Sequence, residues 1–150
     1  MKKHALLILL SFFIFSSCSV FKKNDYPSYD KNQPNQIISL YQTEWELVKI
    51  GSSRPKLTGT DEKITIVFSK NNSHFAGFSG CNRYGGQFNI KRENLSLENV
   101  FSTKMACPEM NMRFENNYLN VLNKVNGYII IGDTLFLNKG ERPALIFIAR

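Results

Sequence analysis

The stretch Gly80-Cys81-Asn82-Arg83-Tyr84-Gly85-Gly86 packs three glycines, a cysteine and three polar or amphipathic side chains into seven residues. Strand-like runs flank it, His74–Phe78 before and Gln87–Ile90 after. A second cysteine closes Thr103-Lys104-Met105-Ala106-Cys107. The stretch is not a phosphate loop, because it lacks the Gly-Lys-Ser/Thr ending and a following helix. Its glycines read instead as a tight turn or bulge between strands. The two cysteine segments are expected to meet in space and tie the fold together.

Working outward, Glu44–Ile50 alternates as a strand and is ended by Gly51-Ser52-Ser53. Ile64–Phe68 is rich in β-branched residues and turns at Lys70-Asn71-Asn72 into His74–Phe78, a hairpin. Gln87–Ile90 and Leu95–Glu98 are short alternating strands with one wet face. A single helix is expected from Pro108 to Lys124. Pro108 suits its first position, and Phe114, Tyr118, Val121, Leu122 and Val125 make one apolar face. The opposite face carries Asn116, Asn117, Asn120 and Asn123, so packing rather than propensity must hold it. Three strands follow: Tyr128–Ile131, Thr134–Leu137 and Ala144–Ala149, the first two joined by Gly132-Asp133. These are apolar on both faces, and their second face needs cover from the helix, a ligand or a partner. The helix is the simplest of the three. Strands and helix do not alternate, so the expected fold is mainly β (α+β). It is an antiparallel, partly open β-barrel-like sheet with one packed helix.

The N-terminus reads differently. Met1-Lys2-Lys3-His4 is a basic start, Ala5 to Phe15 is apolar apart from Ser11, and Ser16-Ser17-Cys18 closes the run with small residues. This is the pattern of a secretory signal, shorter than an ordinary membrane span. Phe15-Ser16-Ser17-Cys18 resembles a bacterial lipobox, with Phe15 where Leu is usual, and implies that Cys18 becomes the lipidated first residue. The resulting division is a signal at 1–17, a lipidated start and polar tether at 18–43, and a domain at 44–150. Ser19 after the cysteine resembles a sorting signal for the outer membrane, facing the periplasm.

Lipid on Cys18 leaves two of the three cysteines, Cys81 and Cys107, as a pair in a compartment where disulfides persist. Loss of Lys2 and Lys3 takes the 19 basic side chains to 17 against 12 acidic ones, a net charge of +5. An exported basic surface suits anionic membrane or wall polymers rather than nucleic acid, and the plainer expectation is a solvated surface without a partner.

Sites of chemistry are sparse. Cys81 with His74 and Asn82 would make a nucleophile, base and orienting amide. His74 and Cys81 lie seven apart and point oppositely on a regular strand, and Cys107 competes for the thiol. Two cysteines and one histidine fall short of a metal site, and no carboxylate pair suggests acid–base work. No catalytic residue, metal or cofactor is expected.

Trp45-Glu46-Leu47, Phe75-Ala76-Gly77-Phe78-Ser79-Gly80-Cys81-Asn82-Arg83-Tyr84 and Thr103-Lys104-Met105-Ala106-Cys107 together resemble the META domain of the HslJ family. Asp133–Leu137 and Leu145–Phe147 look like that family's closing strands. The resemblance covers about residues 43–150. It implies a partly open antiparallel barrel with one helix, similar in shape to the pilotin lipoproteins of type III secretion. It carries no established enzymatic activity. The family includes heat-inducible envelope lipoproteins linked to antibiotic tolerance and a virulence-associated protein of parasites. Gly80, Cys81, Asn82, Arg83, Thr103, Met105, Ala106 and Cys107 carry over as signature positions rather than as an active site. The functional expectation is a non-catalytic, stress-related envelope lipoprotein, held to a membrane by its N-terminal lipid. It would work as a binding or assembly module for an envelope protein. The alternative is a carrier of a lipid or small hydrophobic ligand in the barrel, and a cysteine hydrolase ranks third.

Overall fold

The computed structural model describes residues 38–150. The signal segment, Cys18 and the tether as far as Ile37 lie outside the described residues. Among those described there are eight strands and one helix. In chain order they are β1 (Trp45–Ile50), β2 (Thr65–Ser69), β3 (His74–Phe78), β4 (Arg83–Lys91), β5 (Asn94–Ser102), α1 (Glu109–Leu122), β6 (Gly127–Ile131), β7 (Thr134–Lys139) and β8 (Arg142–Ala149).

All eight strands belong to one antiparallel sheet in the order β5-β4-β3-β2-β1-β8-β7-β6. The pairing β1–β8 joins a meander from each end of the chain, with Trp45 opposite Ala149 and Leu47 opposite Phe147. The two edges approach at one end. There Leu95 N–H donates to Asn126 O at 3.3 Å and Tyr128 N–H to Glu93 O at 3.2 Å. The sheet therefore curls almost to a barrel without closing.

Period-two alternation on a curled sheet puts one set of side chains inside. Trp45, Ile66, Phe68, Leu135, Leu137, Leu145 and Phe147 fill the interior and are essentially inaccessible. Tyr118 and Leu122 of α1 enter the same cluster. Phe68 anchors an aromatic group, edge-on to Phe88 with ring centroids 5.4 Å apart. Ahead of β1, Leu40 is buried and its carbonyl accepts from Trp45 Nε1–H at 3.1 Å. Gln42 N–H donates to Phe68 O, so the chain is attached to the barrel from about residue 40.

Three sequence expectations shift. Arg83 to Gly86 belong to β4, so the turn shrinks to Ser79–Asn82; β5 runs on to Ser102. The extra length comes from pairing, with Tyr84 opposite Ser102 and Gly85 opposite Phe101. Pro108 is the N-cap rather than the first helical residue, with ψ of 139°, and the helix stops at Leu122.

The third correction concerns the last three strands. Tyr118 and Leu122 of α1 pack against Leu135, Leu137, Leu145 and Phe147 in the core cluster. On the opposite face Ile129 pairs with Phe136 and Phe136 with Ile146, outside the main core cluster. Alternation forces this outcome, since one helix cannot lie on both sides of a sheet that wraps around it.

Candidate functional site

The β3–β4 turn is the centre of the signature segments. Gly80 sits at φ +105°, in the region L side chains avoid, and a Cβ there would lie 2.9 Å from Leu57 Cδ2. Ser79 N–H donates to Asn82 O at 2.9 Å, which closes the turn. Cys81 and Cys107 form a disulfide with Cα atoms 5.9 Å apart, within the span such a bond needs.

Asn82 is 4% exposed and uses its whole amide. Its Oδ1 accepts from Met105 N–H at 2.7 Å and from the Thr103 hydroxyl at 2.9 Å. Its Nδ2 donates to Glu115 Oε1 at 2.8 Å, and its backbone N–H donates to Glu115 Oε2 at 2.8 Å. The Ser79 hydroxyl also contacts Glu115 Oε2. Glu115 is 7% exposed, and among the described residues no cation lies within ion-pair distance of it. Hydrogen-bond donors from the turn take the place of a counter-ion, which is how a buried carboxylate becomes tolerable.

Two further polar groups on α1 follow the same stripe. Asn111 accepts from Thr58 N–H at 2.8 Å and donates to Thr58 O at 3.0 Å, which pins the loop after β1. The Tyr118 hydroxyl lies 2.5 Å from the Tyr84 hydroxyl, and Tyr84 donates to Thr65 O at 2.9 Å. Burial pushes both phenols well above their ordinary range. Gly77 is required beside them, since a Cβ would fall 1.9 Å from Thr65 O.

The structure therefore gathers Gly80, Cys81, Asn82, Thr103, Met105 and Cys107 into one cluster. Arg83 and Ala106 stand apart. Arg83 is largely exposed, pairs with Glu62 and lies 5.2 Å over the Phe78 ring, while Ala106 is exposed on the loop. His74 is at the far end of β3, opposite Gln87, with its Nδ1 2.5 Å from Asn72 O. The arrangement of His74, Cys81 and Asn82 as base, nucleophile and amide does not form, and the Cys81 sulfur is bonded to Cys107.

Sequence reasoning missed Ser79, Asn111 and Glu115. A signal was available: Asn111, Glu115, Tyr118 and Leu122 recur at i, i+4, i+7 and i+11, so two polar residues share the buried stripe. Phe101, Met105, Met110 and Met112 are the exposed large hydrophobic residues of the described chain, at 66%, 63%, 58% and 39%.

The profile of the META domain family matches residues 38–150. The chain belongs to the META domain family. Its META domain is similar to a protein from Burkholderia xenovorans solved by NMR, at 25% identity and a TM-score of 0.60. That match covers 83% of this chain and 97% of the other. A second NMR structure shares the fold at 15% identity and a TM-score of 0.56, covering 75% of this chain and 96% of that one. A DUF4847 family protein from Bacteroides vulgatus, a crystal structure, matches at 14% identity and a TM-score of 0.50, covering 73% and 93%. Among curated proteins none matches the chain. The last two likenesses bear on the META fold alone.

Proposed function

We propose that this chain is a non-catalytic, stress-related lipoprotein of the bacterial envelope. It is anchored through Cys18, with the META domain standing off the membrane on the segment from Cys18 to about Ser39 as a binding or assembly module. The observation that supports the module reading is the apolar exposure of Phe101, Met105 and Met110 beside a rigidly braced turn. Methionines adapt their shape to a partner, and exposed apolar side chains gathered in one segment suit a protein contact. The signature residues beneath them are spent on hydrogen bonds and the disulfide, so they hold the 103–107 loop in a fixed shape. Pre-organisation of that kind lowers the entropy cost of docking. The carrier reading is the weaker one, because the barrel interior is filled by Trp45, Phe68, Tyr118 and Phe147.

Two experiments test this. Labelled palmitate should enter the wild-type protein in bacteria and not Cys18→Ala; equal labelling removes the lipoprotein reading. A photo-crosslinker at Met105 should capture one reproducible envelope partner, while the same group at Lys70 should not. Capture that is absent, or the same at both positions, removes the module reading.

A further inference from the structure

The last three strands carry a second apolar face that the core does not use. Alternation turns Ile129, Ile131, Phe136, Ile146 and Ile148 outward, with Phe136 between Ile129 and Ile146 in the register. On the convex side of a curled sheet, lateral neighbours shield the flanks of a ring and leave its tip in water. Phe136 is nevertheless only 2% exposed, and the four isoleucines are half-buried. Something therefore lies over this face. α1 does not, since its Tyr118 and Leu122 belong to the core cluster. All eight strands are spent in the sheet itself. The loop after β1 is held to Asn111 through Thr58, and the loop after β5 to Asn82 through Met105. The chain ahead of Ile38 remains.

That chain enters beside the face. Ile38 packs on the core, and Trp45 Nε1–H fixes Leu40 O at 3.1 Å. Tyr41 bridges to Phe68 and lies against the Phe88 ring, with centroids 6.1 Å apart. Burial, and next the neighbouring Tyr41 phenol, raise the pKa of Tyr128, so Tyr41 also stands near the start of β6. Ile129, the next residue, is the first to point outward. Extended, residues 19–37 span up to about 60 Å, while the face is about 10 Å across and 17 Å tall. The segment brings Val20, Phe21, Tyr26, Tyr29 and Ile37, and its Pro27 and Pro34 favour extended backbone. We propose that residues 19–37 lie along the outer face of β6, β7 and β8 as a strap, with their aromatic side chains against Phe136, Ile129 and Ile146. The strap rests on the reading of residues 1–17 as a removed signal and goes beyond the module reading. Docked, it shortens the reach of the domain from its lipid and leaves the Met105 surface free.

The test places a photo-crosslinker at Ile129 of the full chain expressed in bacteria. The same group at Ala76, exposed on β3, serves as reference. Peptide mapping of the monomer band should join Ile129 to residues 19–37, at least about tenfold above Ala76. A second measurement follows trypsin at Lys22, Lys23 and Lys31 of the intact chain. Ile146→Asp sets a charge beneath the strap and should speed cleavage at Lys31 about tenfold. Ile129→Asp, on the edge strand, decides the matter should the Ile146 variant fail to fold. The strap is overturned by a crosslink to a second copy, to lipid or to residues 1–17, or by no crosslink. Equal cleavage rates in the wild type and the aspartate variants also overturn it. Palmitate labelling of the same sample keeps the failures apart, because a labelled chain without the crosslink removes the strap and leaves the lipoprotein reading standing.

Discussion

Replacing Glu115 by Gln isolates what the buried carboxylate does. A Gln side chain can set its one carbonyl oxygen where Oε2 lies and keep Asn82 N–H and the Ser79 hydroxyl as partners. Its NH₂ then occupies the place of Oε1 and faces Asn82 Nδ2, donor against donor. Asn82 cannot turn its amide to accept, because its Oδ1 is held by Met105 N–H and the Thr103 hydroxyl. Losing one charge-assisted bond and stranding its donor costs about 2–3 kcal/mol. For a domain of roughly 110 residues that lowers the thermal midpoint by about 10 °C. Glu115→Ala strands the Asn82 backbone N–H, leaves Asn82 Nδ2 only the Cys81 sulfur and opens a void, while the Ser79 hydroxyl keeps Asn82 O, and it should cost about 3–5 kcal/mol. Denaturant unfolding followed by circular dichroism, with the disulfide oxidised in every variant, measures both. A double-mutant cycle with Asn82→Ala should return a coupling of about 1.5–3 kcal/mol. Costs below about 1 kcal/mol for both Glu115 variants, or a coupling near zero, would refute the claim that this carboxylate joins helix to turn.

Reducing the disulfide, or replacing Cys81 and Cys107 by Ser, should cost about 3.5 kcal/mol on the chain-entropy account, given the separation of 26 residues; equal denaturation midpoints with and without reductant would contradict it. Gly77→Ala forces a Cβ to 1.9 Å from Thr65 O, and should cost more than about 3 kcal/mol or abolish soluble folded protein. Tyr84 and Tyr118 have folded pKa values raised above the unfolded value of 10.0. Their contribution is therefore complete below pH 10.0 and lost as the pH climbs toward the folded values. Alkaline unfolding should begin above that point, and Tyr84→Phe with Tyr118→Phe should flatten the decline seen by circular dichroism. Arg83→Ala removes an exposed ion pair with Glu62 and the guanidinium over the Phe78 ring, so denaturation should register less than about 1 kcal/mol.

Much of the fold is legible in the chain itself. The alternation in Glu44–Ile50 and Ile64–Phe68, and the Gly132-Asp133 turn, place strands β1, β2, β6 and β7 close to where they form. These are local signals, governed by side-chain period and turn chemistry. The length of β4 was not legible, because Arg83 to Gly86 contain two glycines and look like turn. They become strand because β3 and β5 flank them, with Phe75 opposite Gly86 and Phe101 opposite Gly85. Pairing across a sheet overrides weak local propensity.

The candidate site divides in the same way. Counting cysteines was enough to pair Cys81 with Cys107 once Cys18 was set aside, and the motifs were enough for the META family. Glu115 could not be weighed by its type alone, since a glutamate on a helix is ordinarily a solvated one. Only folding brings Ser79, Asn82 and Glu115, separated by up to 36 residues, within hydrogen-bond reach. Sequence by itself determined the strands, the helix, the cysteine pair and the family, all of which depend on periodicity, counting and motif. The tertiary structure alone decided which polar groups are buried together, because desolvation and hydrogen bonding are set by three-dimensional neighbours rather than by order along the chain.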